Sequence, residues 1–115
     1  MSSHGGALEA VERVLNQGGE ADDILREVVA ILHQRLDRFV RISFVEDDTL
    51  APGPAAGTEE PGTAFPIAWQ GRRVADLEIG GETSQGDREL LERIATLVSP
   101  YALVGWDTGG EAWTP

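Results

Sequence analysis

Apolar residues recur at helical spacing in the first part of the chain. Leu8, Val11 and Leu15 form one stripe within Ala7–Gln17, and the glycine pair that follows is a typical helix stop. The six residues before this stretch are rich in small polar residues and are expected to be loose. The pattern therefore predicts a short first helix over Ala7–Gln17.

A stronger helical pattern covers Ala21–Leu36. Two aspartates in its first turn and arginines near its other end both suit the helix dipole. Val28 and Ile31 belong to its main apolar stripe, which is wide enough to pack on a sheet or on another helix. His33 lies near the middle of this helix and is predicted to be a surface or boundary residue rather than a ligand or base.

Alternating apolar and polar residues predict three strands, over Phe39–Val45, Phe65–Trp69 and Arg72–Ile79. Gln70-Gly71 separates the last two and is predicted to be a two-residue hairpin turn. A regular hairpin with this turn would place Phe65 opposite Asp76. On that register, one face of the hairpin carries Phe65, Ile67, Trp69, Val74 and Asp76.

Residues 46–63 carry acids, prolines and glycines. Glu46-Asp47-Asp48 is predicted to be a solvated turn, because calcium loops space their ligands at alternate positions and need a closing carboxylate. Thr49–Ala51 is predicted to be a short edge strand that pairs back on the first strand, since Pro52 and Pro54 limit it to an edge. The rest of this segment is predicted to be a loop.

A third helical pattern begins near Ser84 or Asp87 and continues towards Val104. Pro100 lies inside the pattern, removes a backbone donor, and is predicted to kink the helix. The hydroxyl of Ser99 is expected to bond the helix backbone. The apolar stripe consists of Leu90, Leu91, Ile94, Leu97, Val98 and Tyr101.

The last ten residues contain two of the three tryptophans, Trp106 and Trp113. A loose tail does not usually carry two large aromatic residues, so we expect this segment to dock on an apolar surface. The surface of the domain itself is the favoured site, and the surface of a partner is the alternative.

Composition narrows the class of protein. The chain has 115 residues, enough for one domain, and a formal charge of −11 that disfavours binding to nucleic acid. It has no cysteine, which excludes disulfides, thiolate metal sites and cysteine nucleophiles. No apolar run is long enough for a membrane helix, and the first residues lack the pattern of a signal peptide. A cytoplasmic protein without membrane or nucleic-acid partners is therefore expected.

The order of the predicted elements resembles that of a GAF domain. The resemblance is carried by Phe65-Pro66-Ile67, Gly71, Val74–Ile79, Asp87 and Leu90–Ala95, which are similar to the strand, hairpin and acid-led helix of that family. It implies an α+β fold in which the N-terminal and C-terminal helices pack on one face of an antiparallel sheet. The expected division is a tail with a short helix over 1–20, a GAF-like domain over 21–105, and a tail over 106–115.

The chain departs from the GAF pattern in the segment that precedes the hairpin. GAF domains usually have more chain there, which encloses a cyclic nucleotide, a tetrapyrrole or another small molecule, and this chain has only Thr49–Thr63. The cysteines that bind bilins or reduce methionine sulfoxide in that family have no counterpart. We therefore predict no cofactor and no metal.

The favoured hypothesis is a non-catalytic, GAF-like sensory or interaction module. GAF helices often pair two subunits, so the resemblance implies a homodimer, and a protein partner is the other possibility. The acid excess would suit a basic partner protein. The candidate interface residues are Val28, Ile31, Leu97, Tyr101, Trp106 and Trp113.

Two other hypotheses remain open. A small-molecule sensor would have a reduced pocket under the 48–63 loop, where Asp76 could orient a ligand amine unless it pairs with Arg41 or Arg72. The candidate ligand-binding residues are Phe44, Phe65, Trp69 and Asp76. An enzyme is disfavoured, because no spacing joins a nucleophile to a base. The only candidates for such a pair are His33, Ser43, Ser84 and Ser99.

Overall fold

The computed structural model describes residues 3–46 and 49–104. The predictions for Asp47-Asp48, Trp106 and Trp113 lie outside this range. The described chain forms three helices and four strands in the order α1, α2, β1, β2, β3, β4, α3. Their bounds are α1 Ser3–Gln17, α2 Ala21–Leu36, β1 Val40–Glu46, β2 Thr49–Ala56, β3 Gly62–Trp69, β4 Arg72–Gly80 and α3 Gln85–Val104.

The four strands form one open antiparallel sheet in the order β2-β1-β4-β3. This arrangement confirms the predicted α+β class with an antiparallel sheet. β4 is an inner strand, and its residue Leu77 lies opposite Ile42 of β1 on one side and Phe65 of β3 on the other. Residues directly opposite each other share a face, so all three side chains point to the same side of the sheet.

The hairpin has the predicted two-residue turn but not the predicted register. Trp69 lies opposite Arg72, and Gln70 and Gly71 adopt positive φ values of 54° and 79°, as a type I′ turn requires. Val74 then has no partner on β3, because Ile67 lies opposite Ala75 while Ala68 lies opposite Arg73. This β-bulge shifts the register by one residue.

The bulge makes the predicted assignment of hairpin faces wrong. Phe65 lies opposite Leu77, while Asp76 lies opposite Pro66. Phe65 and Asp76 therefore point to opposite faces of the sheet, although the regular hairpin placed them on one face. A single extra residue has this effect because the side-chain period of a strand is two.

The β2 strand extends to Ala56 and is much longer than the predicted Thr49–Ala51. It lies at the sheet edge, where Pro52 and Pro54 cost few ladder hydrogen bonds. An irregularity between the pairs Arg41–Ala55 and Ser43–Pro52 accommodates one extra residue on β2. Most of the segment predicted to be a loop over the sheet is therefore a strand within the sheet.

One apolar core joins the sheet to the helices. α2 contacts β1 and β2, α3 contacts β3 and β4, and α1 contacts α2 and α3. The sheet contributes only one of its faces to this core, which we call the core face. Its buried apolar residues are Val40, Ile42, Phe44, Phe65, Ile67, Ala75, Leu77 and Ile79.

The first helix belongs to the same core. α1 begins at Ser3, four residues earlier than predicted, so residues 3–6 are helical rather than loose. Ala7 and Val11 are fully buried in the core cluster. The core therefore includes residues from the 1–20 segment, which the sequence assigned to a separate tail and short helix.

The third helix runs through Pro100 to Val104 without a break. Proline at position 100 cannot donate to the carbonyl of Thr96, which would be its partner four residues earlier. The Ser99 hydroxyl donates to that carbonyl at 2.9 Å, which confirms the expected bond to the backbone. The neighbouring serine thus replaces the donor that the proline removes.

Gly53 offers a test of the packing between β2 and the core face. A Cβ at this position would clash with the Phe44 ring and would lie 2.6 Å from the Ile42 carbonyl oxygen. We expect Gly53→Ala to lower the free energy of unfolding by about 2 kcal/mol, as overpacking typically does. Urea denaturation measures this loss. Ala55→Ser, at an exposed position of the same strand, is the control and should change stability little. Equal stability of both variants would contradict the described contact.

Candidate functional site

The predicted ligand-binding residues do not converge on one site. Phe44 and Phe65 lie on the core face and are only 6% and 3% exposed. Asp76 lies on the opposite face, and Trp69 is half-buried beside the hairpin turn, opposite Arg72. The first two residues therefore have a packing role, and the four do not line a common pocket.

Asp76 pairs with Arg73, which was not predicted from the sequence to be its partner. Arg73 donates from Nε to Oδ1 at 2.8 Å and from a terminal nitrogen to Oδ2 at 2.6 Å, which makes the pair bidentate. The partners predicted from the sequence were Arg41 and Arg72. The bulge at Val74 lies between Arg73 and Asp76, so this partner could not be found from a regular hairpin.

The face opposite the core face, which we call the outer face, carries a second charged pair. Arg41 of β1 lies opposite Glu78 of β4, and its Nε donates to the Glu78 carboxylate at 2.6 Å. A terminal nitrogen of Arg41 also donates to Glu59 at 3.2 Å, and its guanidinium lies 5.4 Å from the ring centre of Phe39. Arg41 thus connects two strands and the segment between β2 and β3.

Both arginines are held in their cationic form. The hydrogen bond to Glu78 is the main cause that raises the pKa of Arg41, and the hydrogen bond to Asp76 is the main cause for Arg73. Because the pKa of each arginine is higher in the folded protein, its pairing stabilises the fold at every pH below the pKa that the arginine has in the unfolded chain. The guanidinium groups of Arg41 and Arg73 therefore stay charged near neutral pH.

Two surface cavities adjoin these charged pairs. The first, which we call the Arg41 cavity, has a volume of about 430 Å³ and lies between the ends of β1 and β4 and the segment 59–64. The second, the Leu50 cavity, has a volume of about 510 Å³ and lies at the other end of the sheet. Its lining residues are Val45, Thr49, Leu50 and Arg73.

Polar side chains form a hydrogen-bonded cluster at the start of α3, and the sequence did not predict that they lie together. Ser84 and Asp87 form a capping box, in which the Ser84 amide donates to the Asp87 carboxylate and the Asp87 amide donates to the Ser84 hydroxyl. Arg38 donates to the Gly80 carbonyl and to Asp87. His33 donates from Nδ1 to the Arg38 carbonyl at 2.8 Å. The capping box could have been predicted from the sequence, because a serine followed by an acid three residues later is typical of a helix start.

The predicted interface residues fall into three groups. Val28 is fully buried in the core and is not available to a partner. Ile31, Leu97 and Tyr101 are half-buried on the helices. Trp106 and Trp113 belong to the part of the chain that the structure does not describe. Three of the six predicted residues, Ile31, Leu97 and Tyr101, are therefore partly exposed on the helices.

Comparisons of the chain with family models, with curated proteins and with solved structures found no match. Within residues 3–46 and 49–104, no three His, Asp or Glu side chains are grouped so that they could hold a metal ion. No helix in the same ranges is both long and apolar enough to cross a membrane. The contacts of the described residues are thus the basis for any functional proposal.

The pair of Arg73 and Asp76 predicts an asymmetric response to mutation. The Asp76 side chain is 7% exposed, whereas that of Arg73 is 52% exposed. Arg73→Ala leaves a carboxylate with little access to water, so we expect a loss of several degrees in Tm. Asp76→Ala leaves an exposed guanidinium and should cost less. Arg72→Ala, an exposed neighbour, is the control in thermal unfolding. If Arg73→Ala and Arg72→Ala lower Tm equally, the ion pair does not protect the carboxylate.

Proposed function

We propose that this protein is a non-catalytic interaction module of GAF-like architecture that acts as a homodimer. In this proposal the N-terminal and C-terminal helices pack on the core face of the sheet, and a second copy covers the helices. The supporting observation is a set of apolar side chains on all three helices that stay partly exposed after packing within the chain. These are Leu8, Val14, Leu15, Ile31, Leu97 and Tyr101.

The edges of the sheet favour association through the helices over association through strands. Pro52 and Pro54 lie in one edge strand, and Pro66 lies in the other. Proline lacks the backbone donor that a continued ladder needs, so neither edge suits strand pairing with a second copy. Leu97 and Tyr101 are four residues apart on α3, so their partly exposed side chains are neighbours on the helical surface.

Sedimentation velocity tests the homodimer. We expect the wild-type chain to dimerise in the micromolar range and to dimerise more tightly at higher salt, because each copy carries a formal charge of −11. Leu97→Glu introduces charge into the proposed interface and should weaken dimerisation by about tenfold or more. A wild-type chain that stays monomeric throughout this range would exclude the proposal.

Leu50→Glu is the matched control, because it changes an exposed leucine of the sheet to the same acid. It should leave the dimerisation constant unchanged. Circular dichroism of both variants shows whether each keeps its fold. If Leu50→Glu dissociates the dimer and Leu97→Glu does not, the interface lies elsewhere.

The Arg41 cavity supports a second candidate function, the binding of a small molecule at a reduced pocket. Glu59, Glu60 and Glu78 line this cavity with Arg41, so its charged lining is mainly acidic, and Phe39 supplies an apolar surface. A small organic amine with an apolar group suits this lining. The 59–63 part of the cavity belongs to the segment that was predicted to cover a pocket.

Thermal shift assays with a panel of small organic amines and carboxylates test this second candidate. We expect an amine to raise Tm and Glu78→Gln to remove the rise, because Glu78 is the least exposed of the three glutamates that line the cavity. Glu82→Gln, at an exposed position outside the cavity, is the control and should keep the response. A response that survives Glu78→Gln would place the ligand elsewhere, and no response to any amine would exclude the candidate.

A further inference from the structure

A third cavity, which we call the Arg38 cavity, lies where three connections between elements of the fold meet. It has a volume of about 560 Å³, which is within the range of small-molecule sites, and the α2–β1, β2–β3 and β4–α3 connections line it. Each connection contributes one residue with a positive φ value, namely Asp37 at 58°, Gly57 at 94° and Gly81 at 80°. The chain thus changes direction three times around this cavity.

Hydrogen bonds between the three connections hold the walls of the Arg38 cavity in place. The Gly80 amide donates to the Phe39 carbonyl at 2.8 Å, and the Gly81 amide donates to the Pro61 carbonyl at 2.9 Å. The end of β4 is therefore bonded to both of the other connections. The walls are present before a ligand binds, so binding requires little ordering of the chain.

A glycine leaves a gap between two opposite charges in the wall of this cavity. A Cβ at Gly81 would lie 3.2 Å from Oε2 of Glu60 and 3.8 Å from a terminal nitrogen of Arg38. The two charged groups therefore border the same space, yet they form no ion pair with each other. Arg38 is anchored elsewhere, because it donates to the Gly80 carbonyl at 3.2 Å and to Asp87 at 3.4 Å. A ligand that carries both signs of charge suits this gap.

The charged lining of the Arg38 cavity contains more acids than cations. Asp37, Glu60 and Glu82 are exposed and form no ion pair with another described residue, and Arg38 is the cation of the lining. A ligand with only a carboxylate would meet three acids, and an amine without a carboxylate would place its charge beside the Arg38 guanidinium. A ligand with two cationic groups and one carboxylate therefore matches this lining best.

We propose that the Arg38 cavity binds a free basic amino acid such as arginine or lysine. The carboxylate of the ligand accepts hydrogen bonds from Arg38, and its α-ammonium group lies beside Glu60 across the gap. Its side-chain cation is attracted by Asp37 and Glu82, the remaining acids of the lining. This site is additional to the homodimer and to the Arg41 cavity, and its ligand differs from a simple amine by the carboxylate.

Isothermal titration calorimetry of the full chain with matched ligands tests this proposal. Arginine carries all three charges, agmatine lacks the carboxylate, and norvaline lacks the side-chain cation. We expect arginine to bind about tenfold more tightly than either analogue, since each analogue loses one charge-assisted contact. The ranking should be the same in Glu78→Gln, in which the Arg41 cavity has lost a charge and the Arg38 cavity has not. Equal binding of arginine and either analogue in this variant would overturn the proposal, as would the absence of arginine binding.

Glutamate substitutions locate the bound amino acid. Glu82 lines the Arg38 cavity but not the Arg41 cavity, whereas Glu59 lines the Arg41 cavity but not the Arg38 cavity. Both side chains are exposed, so neither substitution should disturb the fold. Glu82→Gln should weaken arginine binding by about threefold, and Glu59→Gln is the matched control that should leave it unchanged. A loss in Glu59→Gln as large as that in Glu82→Gln would place the ligand outside the Arg38 cavity.

Arg38→Gln tests the contact to the carboxylate through ligand selectivity. Arg38 also donates to the Gly80 carbonyl and to Asp87, so its substitution is expected to lower Tm as well. The folded variant should bind agmatine at least as tightly as arginine, and a retained tenfold preference for arginine would refute the contact. If this variant does not fold, the comparison of Glu82→Gln with Glu59→Gln decides. Sedimentation velocity measures the homodimer separately, so failure of either proposal leaves the other standing.

Discussion

The fold depends on the register of β4, because this strand pairs with a neighbour on both sides. Ala75 lies opposite Phe44 and Ile67, and Leu77 lies opposite Ile42 and Phe65. These rows supply much of the core face against which the helices pack. A slip of one residue along β4 would turn Asp76 into the core and Leu77 to the outer face, so burial of the apolar row and exclusion of the charge select the same register.

The same register creates the charged pattern of the outer face. Asp76 and Glu78 alternate with the buried residues of β4 and therefore share the face that the core does not use. The strand opposite supplies Arg41 to Glu78, while the bulged segment of β4 itself supplies Arg73 to Asp76. The acids of an inner strand thus each have a cation. The alternation of side chains along β4 therefore places its apolar residues in the core and its acids on the outer face.

The sequence was sufficient for the type and order of the elements, but not for the start of α1, the length of β2 or the register of the hairpin. Helical periodicity and strand alternation predicted the elements of an α+β fold, Gln70-Gly71 predicted the hairpin turn, and the position of Ser99 before Pro100 in a helical pattern predicted its bond to the backbone. Each of these predictions depends on neighbouring residues. The bulge at Val74 has no local signal, since valine suits a regular strand equally well. Phe65 and Asp76 were therefore assigned to one face, and a candidate site was built from residues that lie on opposite faces. The length of β2 was missed because the proline- and glycine-containing stretch after Ala51 was predicted to be a loop, although an edge strand tolerates proline.

The charge of the chain limits the kind of interface through which two copies could associate. A formal charge of −11 opposes any close approach of two copies, so an interface needs apolar residues that are shielded from the acids. Leu97 and Tyr101, which are partly exposed apolar residues of α3, are the candidates for such an interface on the helices. The edges of the sheet would then favour a closed dimer over further association through strands, because Pro52, Pro54 and Pro66 lack the backbone donors that a continued ladder needs.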